Sequence, residues 1–379
     1  METESSRAPS ELAIRAATVD DLPALVQLEA SAFDADRISR RSMRHLLQRA
    51  HAAVLVAVDA DGAVLGSVVL LFSRGTATVR LYSIAVHPAA RGRGVARRLV
   101  EAAEAEAWRR ERAWVRLEIR RDNTASIGLF ESLGYRRFGS YDDYYADHME
   151  ALRYEKAVDA GLRPELARVP YYRQTLDFTC GPAALLMAFS ALDPAFRPDR
   201  TLELRVWREA TTVFMTSGHG GCGPYGLALA AWRRGWEVEL HLSAEGAQLL
   251  ESVRSPEKKE VMALVQADME REVAEAGIPV RFGRVSPDSL EHRAGDGAVP
   301  LVLISSWAIY GTRVPHWVVV TGFDEHFVYV HDPFIDEEEG ETPADSINMP
   351  IGRAQFERMA RYGRRGLQAA LFIGPHRHA

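Results

Sequence analysis

Apolar positions along the chain follow two rhythms, and each predicts a different kind of element. A short strand is expected from Leu12 to Arg15, after which Thr18 caps a helix whose first turn holds Asp20 and Asp21. Ala53–Val58 and Val64–Phe72 are β-rich runs separated by Asp59-Ala60-Asp61-Gly62, the composition of a hairpin turn. A third run, Thr76–Val86, completes an antiparallel meander and feeds HPAARGRGVARRLVEAAEAEAWRR, which has helical period. Between Tyr154 and Val169 the sheet rhythm fades and Gly161, Pro164 and Pro170 enter, so a short, stiff link is expected around Ala160. Beyond it come a buried helix, AALLMAFSAL, with Pro182 at its first position, a strand WEVELHL, an amphipathic helix from about Pro256 to Glu275, and a buried strand VPLVLISSW. The runs WVVVTGF and FVYVH flank Asp324-Glu325-His326 and predict a second hairpin.

Composition narrows the reading. At 379 residues and 42.1 kDa the chain is long for one domain, and each half has enough apolar residues for its own core. The net charge of −6 argues against a general nucleic-acid binder. The basic residues are nearly all Arg, with Lys156, Lys258 and Lys259 the exceptions, which carries no functional weight. The first residues, METESSRAPSELAIR, lack a basic region followed by an apolar core, and no apolar run approaches the roughly 20 residues of a membrane span, so a cytoplasmic location without membrane contact is the expectation. Two cysteines make no disulfide framework and point instead to a free or catalytic thiol. No Cys/His spacing suggests a metal site, and no Walker or dinucleotide fingerprint occurs.

The junction after the third strand is the first chemical signal. Ile84-Ala85-Val86 ends the run, and Arg91-Gly92-Arg93-Gly94-Val95-Ala96 opens the helix. Free N–H groups at a helix start, approached closely through glycines, form a site for phosphate groups. With Leu117-Glu118-Ile119-Arg120, Asn123 and Leu133-Gly134-Tyr135 downstream, the region from about Leu12 to Val158 resembles the GNAT acetyltransferases. The resemblance implies a mixed central sheet with flanking helices (α/β) and acetyl-CoA as co-substrate. The amides from Arg91 to Ala96 would hold its pyrophosphate, Ile84, Ala85 and Val86 would accompany its pantetheine arm, and Asn123 would lie near the thioester. LEIRRDNTASIGLFESLGY looks most like the branch that acetylates α-amino groups of ribosomal proteins, where a strand glutamate is the base and a tyrosine before Glu-Ser-Leu-Gly is the acid. Glu118 matches the base, although by itself it is equally an Arg-paired strand residue. Phe130 stands where the acid should be and has no proton to give, which leaves water or one of Tyr135, Tyr141, Tyr144 and Tyr145 as donor.

The second signal is Cys180, on a Gly-Pro step at a helix entrance, six positions after Gln174. A helix start lowers a thiol pKa, whereas a small buried cysteine is the commoner fate of such a residue. In a hairpin centred on Asp324, His316 faces Asp332 across the strands, the arrangement in which an acid orients a histidine that serves a nucleophile; a register shifted by one would favour His331. Gln174-x5-Cys180-Gly181-Pro182-Ala183, His316-Trp317 and Asp332-Pro333 resemble the double-glycine, bacteriocin-processing cysteine peptidases, a papain-like α+β family, over about Val169 to Gly374. By that resemblance Gln174 donates to the oxyanion, Cys180 attacks, His316 carries the proton and Asp332 orients His316. Exporters of that family join the peptidase to membrane spans and an ATPase, neither of which is seen here, so leader cleavage during export is not expected. Cys222-Gly223-Pro224 also enters a helix but has Thr216 where a glutamine would be needed, which makes Cys222 a structural or pocket residue and His219 a turn or pocket residue. The acidic DEEEGE stretch is expected to be a solvated loop.

The expected organisation is therefore a flexible segment 1–11, a GNAT domain 12–158, a linker 159–168, a papain-like peptidase domain 169–375 and a tail 376–379. The expected function is bifunctional, an N-acetyltransferase for a peptide or protein amine joined to a Cys-His-Asp thiol hydrolase. The alternatives are a non-catalytic CoA- or peptide-binding first domain, or acyl transfer in place of hydrolysis at the thiol.

Overall fold

The computed structural model describes residues 12–33, 37–48, 51–141, 143–145, 147–158, 165–211, 220–246, 249, 255–336 and 343–377. The chain divides into two compact units, residues 1–162 and 163–379.

In the first unit, β1 (Ala13–Ala16), β2 (Ala52–Val58), β3 (Val64–Phe72), β4 (Thr78–Val86), β5 (Trp114–Arg120), β6 (Arg136–Tyr141) and β7 (Ala151–Ala157) form one sheet of order β1-β2-β3-β4-β5-β7-β6. Burial along β2 and β3 has the period of two that a doubly covered sheet requires: Leu55, Ala57, Val68 and Leu70 enter one core, Val54, Val56 and Val69 the other. Helices α1 (Leu22–Ala32) and α2 (Arg40–Gln48) close the second core through Leu22, Leu25, Met43 and Leu46. On the other face lie α3 (Val95–Arg109), through Val95, Leu99 and Ala103, and α4 (Thr124–Ser132), through Phe130. Thr18 caps a short 3-10 turn, Val19–Asp21, rather than a long helix; its N–H donates to Asp21 Oδ2 at 2.8 Å, and α1 begins only afterwards.

Neighbouring strands in this sheet are antiparallel except β4 and β5, which are parallel and paired only over Thr78–Arg80 and Trp114–Arg116. Past those residues the two strands run on to Val86 and Arg120 without pairing to each other, so the sheet opens into a fork.

The second unit holds β8 (Glu165–Leu166), β9 (Trp236–Leu242), β10 (Val280–Phe282), β11 (Val299–Ser305), β12 (Pro315–Phe323), β13 (Phe327–His331), β14 (Met349–Gly352) and β15 (Ala369–His376). Their order is β10-β9-β15-β11-β12-β13-β14, with β8 added on the end of β12. The central runs lack polar alternation because both faces are covered: Leu301, Leu303, Trp317 and Leu371 enter one core, Val302, Ile304, Val318 and Phe372 the other. The first core is closed by α5 (Cys180–Leu192), α6 (Arg200–Ala210), α7 (Pro224–Arg233) and α8 (Pro256–Glu275), the second by α9 (Pro287–Gly295) and α12 (Arg353–Met359). Two short turns, α10 (Trp307–Tyr310) and α11 (Pro343–Ser346), complete the unit.

Four expectations need correction here. Helix α5 begins at Cys180, so Pro182 takes its third position, still within the first turn where a missing N–H costs nothing. The buried strand ends at Ser305, and Trp307 opens α10. The supposed linker ends in a strand, β8, which pairs Leu166 with Gly322; residues 159–164 lie outside the described residues, as do 1–11. The β12–β13 hairpin pairs Val319 with His331 and Val320 with Val330, then bulges before Gly322, so its register is two residues from the one that places His316 opposite Asp332.

Candidate active sites

At the fork of the first unit, Gly92 and Gly94 adopt left-handed φ values of +75° and +77°, and a Cβ on either would meet nothing within 4 Å. The turn from Arg91 to Gly94 thus presents backbone to open space at the start of α3, which fits a pyrophosphate. Ile84, Ala85 and Val86 lie on the stretch of β4 beyond its last residue paired to β5, at the fork. Asn123 caps α4, its Oδ1 accepting from Ser126 N–H at 3.1 Å, which leaves its amide hydrogens available.

Glu118 lies two residues past Arg116, the last residue of β5 paired to β4. Arg80 Nε donates to its Oε2 at 2.7 Å, while Arg153 Nε stays 3.9 Å from Oε1. The carboxylate is therefore Arg-paired, with one oxygen less engaged. Arg80 also donates to the hydroxyl of Tyr144. Partial burial, foremost, and the charge of Glu118 hold the Tyr144 phenol above its ordinary pKa against the opposing pull of Arg80, so it keeps its proton at neutral pH. Tyr141 stacks on Tyr144 and Tyr145 meets it edge-on, whereas Tyr135 is buried against Phe130. Of the four candidate tyrosines, Tyr144 is the one joined through Arg80 to Glu118. Arg80 itself gave no sequence signal, since its role depends on where the fork opens.

In the second unit His316 Nε2 lies 2.6 Å from Asp332 Oδ1. A two-residue offset keeps Asp332 on the same side of the sheet as His316, because side chains alternate with period two, and the pair forms despite the altered register. The His316 ring and the Trp317 backbone N–H both act on the ionisation of the Cys180 thiol. Burial disfavours the imidazolium, but Asp332 and the thiol outweigh it and raise the His316 pKa to about 10. Burial likewise disfavours the Cys180 thiolate, yet His316 and the Trp317 amide bring the thiol below its ordinary value. Both shifts run in the direction of a thiolate–imidazolium pair. Cys222 differs: burial, together with the charge of Cys180, keeps its thiol well above the ordinary range.

Asp332 is fully buried and accepts three donors, His316, Phe334 N–H at 2.9 Å and Tyr310 Oη–H at 2.9 Å. Gln174 N–H donates to Pro333 O at 2.9 Å, which ties the segment before α5 to the residue after Asp332. The Gln174 side chain donates to Leu176 O at 2.9 Å, its Oε1 is buried without a partner, and no hydrogen bond joins it to Cys180 among the described residues. Buried Glu203 on α6 anchors this segment by accepting from Tyr172 Oη–H and Thr175 N–H, both at 2.9 Å. Glu203 and Tyr310 were not legible as site residues; each acts across a long sequence gap. His331 lies apart, its Nε2 donating to Val169 O at 2.9 Å and its Nδ1 accepting from Asn348 N–H at 3.0 Å. His219 and residues 337–341 of the acidic stretch lie outside the described residues.

The first unit is thus a mixed, forked sheet with an open glycine turn at the start of α3, and the second a largely antiparallel sheet carrying the His316–Asp332 pair beside Cys180. Residues 22–135 match the acetyltransferase (GNAT) family, and the first unit is a GNAT acetyltransferase domain. Residues 169–374, more than half of the chain, match the Peptidase_C39 like family, to which the chain belongs. Solved structures similar to it include the ribosomal-protein-S18-alanine N-acetyltransferase from Escherichia coli, at 24% identity over 40% of this chain and 99% of that one, with a TM-score of 0.36. An N-acetyltransferase from Staphylococcus aureus Mu50 matches at 24% identity over 40% of this chain and all of that one, TM-score 0.36. A GCN5-related N-acetyltransferase from Kribbella flavida matches at 25% identity over 38% and 97%, TM-score 0.34. No curated protein matches the chain. Among the described residues no helix is long and apolar enough to cross a membrane.

Proposed function

We propose that the second unit is a thiol hydrolase of peptide or amide bonds and that the first acetylates a peptide or protein amine. The observation that carries the hydrolase is the imidazole of His316, held by buried Asp332 at 2.6 Å, with Cys180 at the start of α5 acting on its ionisation. The Cys180 thiolate attacks the carbonyl carbon, while the amides at the start of α5 and the Gln174 side chain, turned from Leu176, receive the oxyanion. His316 gives its proton to the departing amine as the C–N bond breaks, leaving a thioester on Cys180. It then takes a proton from water, which attacks the thioester and restores the thiol pair.

In the first unit, acetyl-CoA supplies the activated acetyl group when bound. Glu118, through Oε1, accepts a proton from the substrate ammonium; Arg80 holds the carboxylate and orients Tyr144, which donates a proton to the leaving sulfur in place of the group Phe130 lacks. Both chemistries meet at a peptide amine, so the hydrolase would expose an amino terminus that the transferase caps. A peptide cut by wild type but not by Cys180→Ala, with acetyl label only on the cut product, is the expected result; labelling unaffected by the substitution overturns the coupling.

A second reading, a CoA-binding module without turnover, is favoured by Phe130 and by the guanidinium on Glu118. Calorimetric CoA binding with no acetylation across a panel of amines would establish it.

A further inference from the structure

The contacts around Asp332 go beyond the three residues that name the cluster. Asp332 is fully buried, and a buried carboxylate with an oxygen left unpaired is costly. Its Oδ1 is shared by His316 Nε2 at 2.6 Å and Phe334 N–H at 2.9 Å, whereas Oδ2 accepts from Tyr310 Oη–H at 2.9 Å. The Tyr310 ring also stands edge-on to His316, with centroids 6.2 Å apart, and to Phe334 at 5.1 Å, so it walls the pair as well as bonding it.

The position of Tyr310 is itself built. It closes the single turn of α10, its N–H donates to Ser306 O at 2.8 Å, and Gly311 follows in the left-handed conformation that ends the turn. Buried Ser306 clamps the returning chain by donating to Thr312 O at 2.7 Å, four residues before His316. The loop that delivers His316 to β12 thus also delivers the hydroxyl that grips its partner.

We propose that Tyr310 is a positioning residue of the thiol site, setting the proton affinity of the His316–Asp332 pair by donating to the carboxylate oxygen that His316 leaves free. This rests on the thiol-hydrolase reading. A hydroxyl on the carboxylate stabilises its anion; without it the pair binds its proton more tightly and the imidazolium persists to higher pH. The titratable groups facing the pair are Cys180 from the start of α5, Tyr310 from α10, and Tyr171, whose hydroxyl donates to the backbone oxygen of Asp332 at 2.9 Å.

Tyr171 supplies the control. Tyr171→Phe deletes a hydroxyl beside the same residue but spares the carboxylate, whereas Tyr310→Phe deletes the one on Oδ2. The experiment is alkylation of Cys180 in the full chain by iodoacetate, followed by mass spectrometry from pH 4 to 11. The reagent's carboxylate makes the rate depend on the imidazolium, so no substrate is needed. Wild type is expected to give a bell-shaped profile. Tyr310→Phe should move the alkaline limb up by about half a pH unit or more and slow peptide hydrolysis about tenfold with KM within twofold. Tyr171→Phe should leave the limb in place. An alkaline limb unmoved in Tyr310→Phe, or moved equally in both variants, overturns the role of Tyr310. A wild-type profile of an ordinary thiol, with no bell, overturns the thiol-site reading instead. Should Tyr310→Phe fail to fold, Tyr310→His, which keeps a donor near Oδ2, replaces it and is expected to shift the limb less than twofold in proton affinity; a larger shift counts against the proposal.

Discussion

Two histidines one hairpin apart show how neighbours decide the sign of a pH effect. His331 is buried, neutral and bonded on both nitrogens, and burial lowers its pKa below the ordinary value despite the bond to Val169 O. The unfolded imidazole takes up a proton near pH 6.5 while the folded one resists it, so its contribution to stability is lost as pH falls below about 6.5. His316 has the opposite sign: its raised folded value contributes stability that is fully present below about pH 6.5 and fades as pH rises toward about 10. The unfolding free energy from denaturant titrations at pH 7.5 and 5.5 should therefore fall toward acid by less in His331→Gln than in wild type. Equal losses in the two proteins would show that His331 is not held neutral. At this scale Cys180, His316 and Asp332 were legible because a helix start and a hairpin each constrain where a side chain points. Tyr310, Arg80 and Glu203 were not, since a lone polar residue carries no period and its partner lies far away in sequence.

At the scale of elements, most of what was legible came from burial period, and most of what was missed came from pairing. The helix over Pro256–Glu275 and the strand Trp236–Leu242 emerge where the pattern puts them. The register of β12 and β13 does not, because the turn closes from Asp324 to Phe327 rather than centring on Asp324, and a bulge at Val320/Gly322 then shifts the pairing by one residue. Strand β8 was hidden since its two residues are too few to show alternation. One glycine carries a constraint that only packing reveals. A Cβ on Gly226, in the first turns of α7, would sit 2.3 Å from Ala210 O and 2.9 Å from its Cα, both backbone atoms at the end of α6. Backbone cannot swing aside as a side chain can, so α6 and α7 would have to separate. Gly226→Ala should then cost about 2 kcal/mol or more, where an exposed helical glycine would gain stability from the same change. Since α6 carries Glu203, which anchors the segment holding Gln174, peptide hydrolysis should weaken as well. A urea midpoint equal to wild type would refute the close approach of the two helices.

At the scale of the whole molecule, the two sheets share no strand among the described residues, and each unit closes its own pair of cores. A ligand that binds one native unit stabilises that unit by mass action, by about 2.7 kcal/mol at a hundredfold excess over its Kd. It reaches the other only if binding there changes contacts the second unit also uses. The cradle at Gly92 and Gly94 and the fork between β4 and β5 lie wholly within the first unit, whereas every partner of Cys180 and Asp332 named above lies within the second. Saturating CoA should therefore slow amide hydrogen exchange in α3, β4 and β5, with protection in β11 to β13 unchanged, and the iodoacetate alkylation rate at Cys180 should stay within twofold. A larger change in that rate would mean that the acetyl-carrier site and the thiol site are thermodynamically coupled. By linkage, alkylated enzyme would then bind CoA with an affinity altered by the corresponding factor, which calorimetry on the modified protein can measure directly.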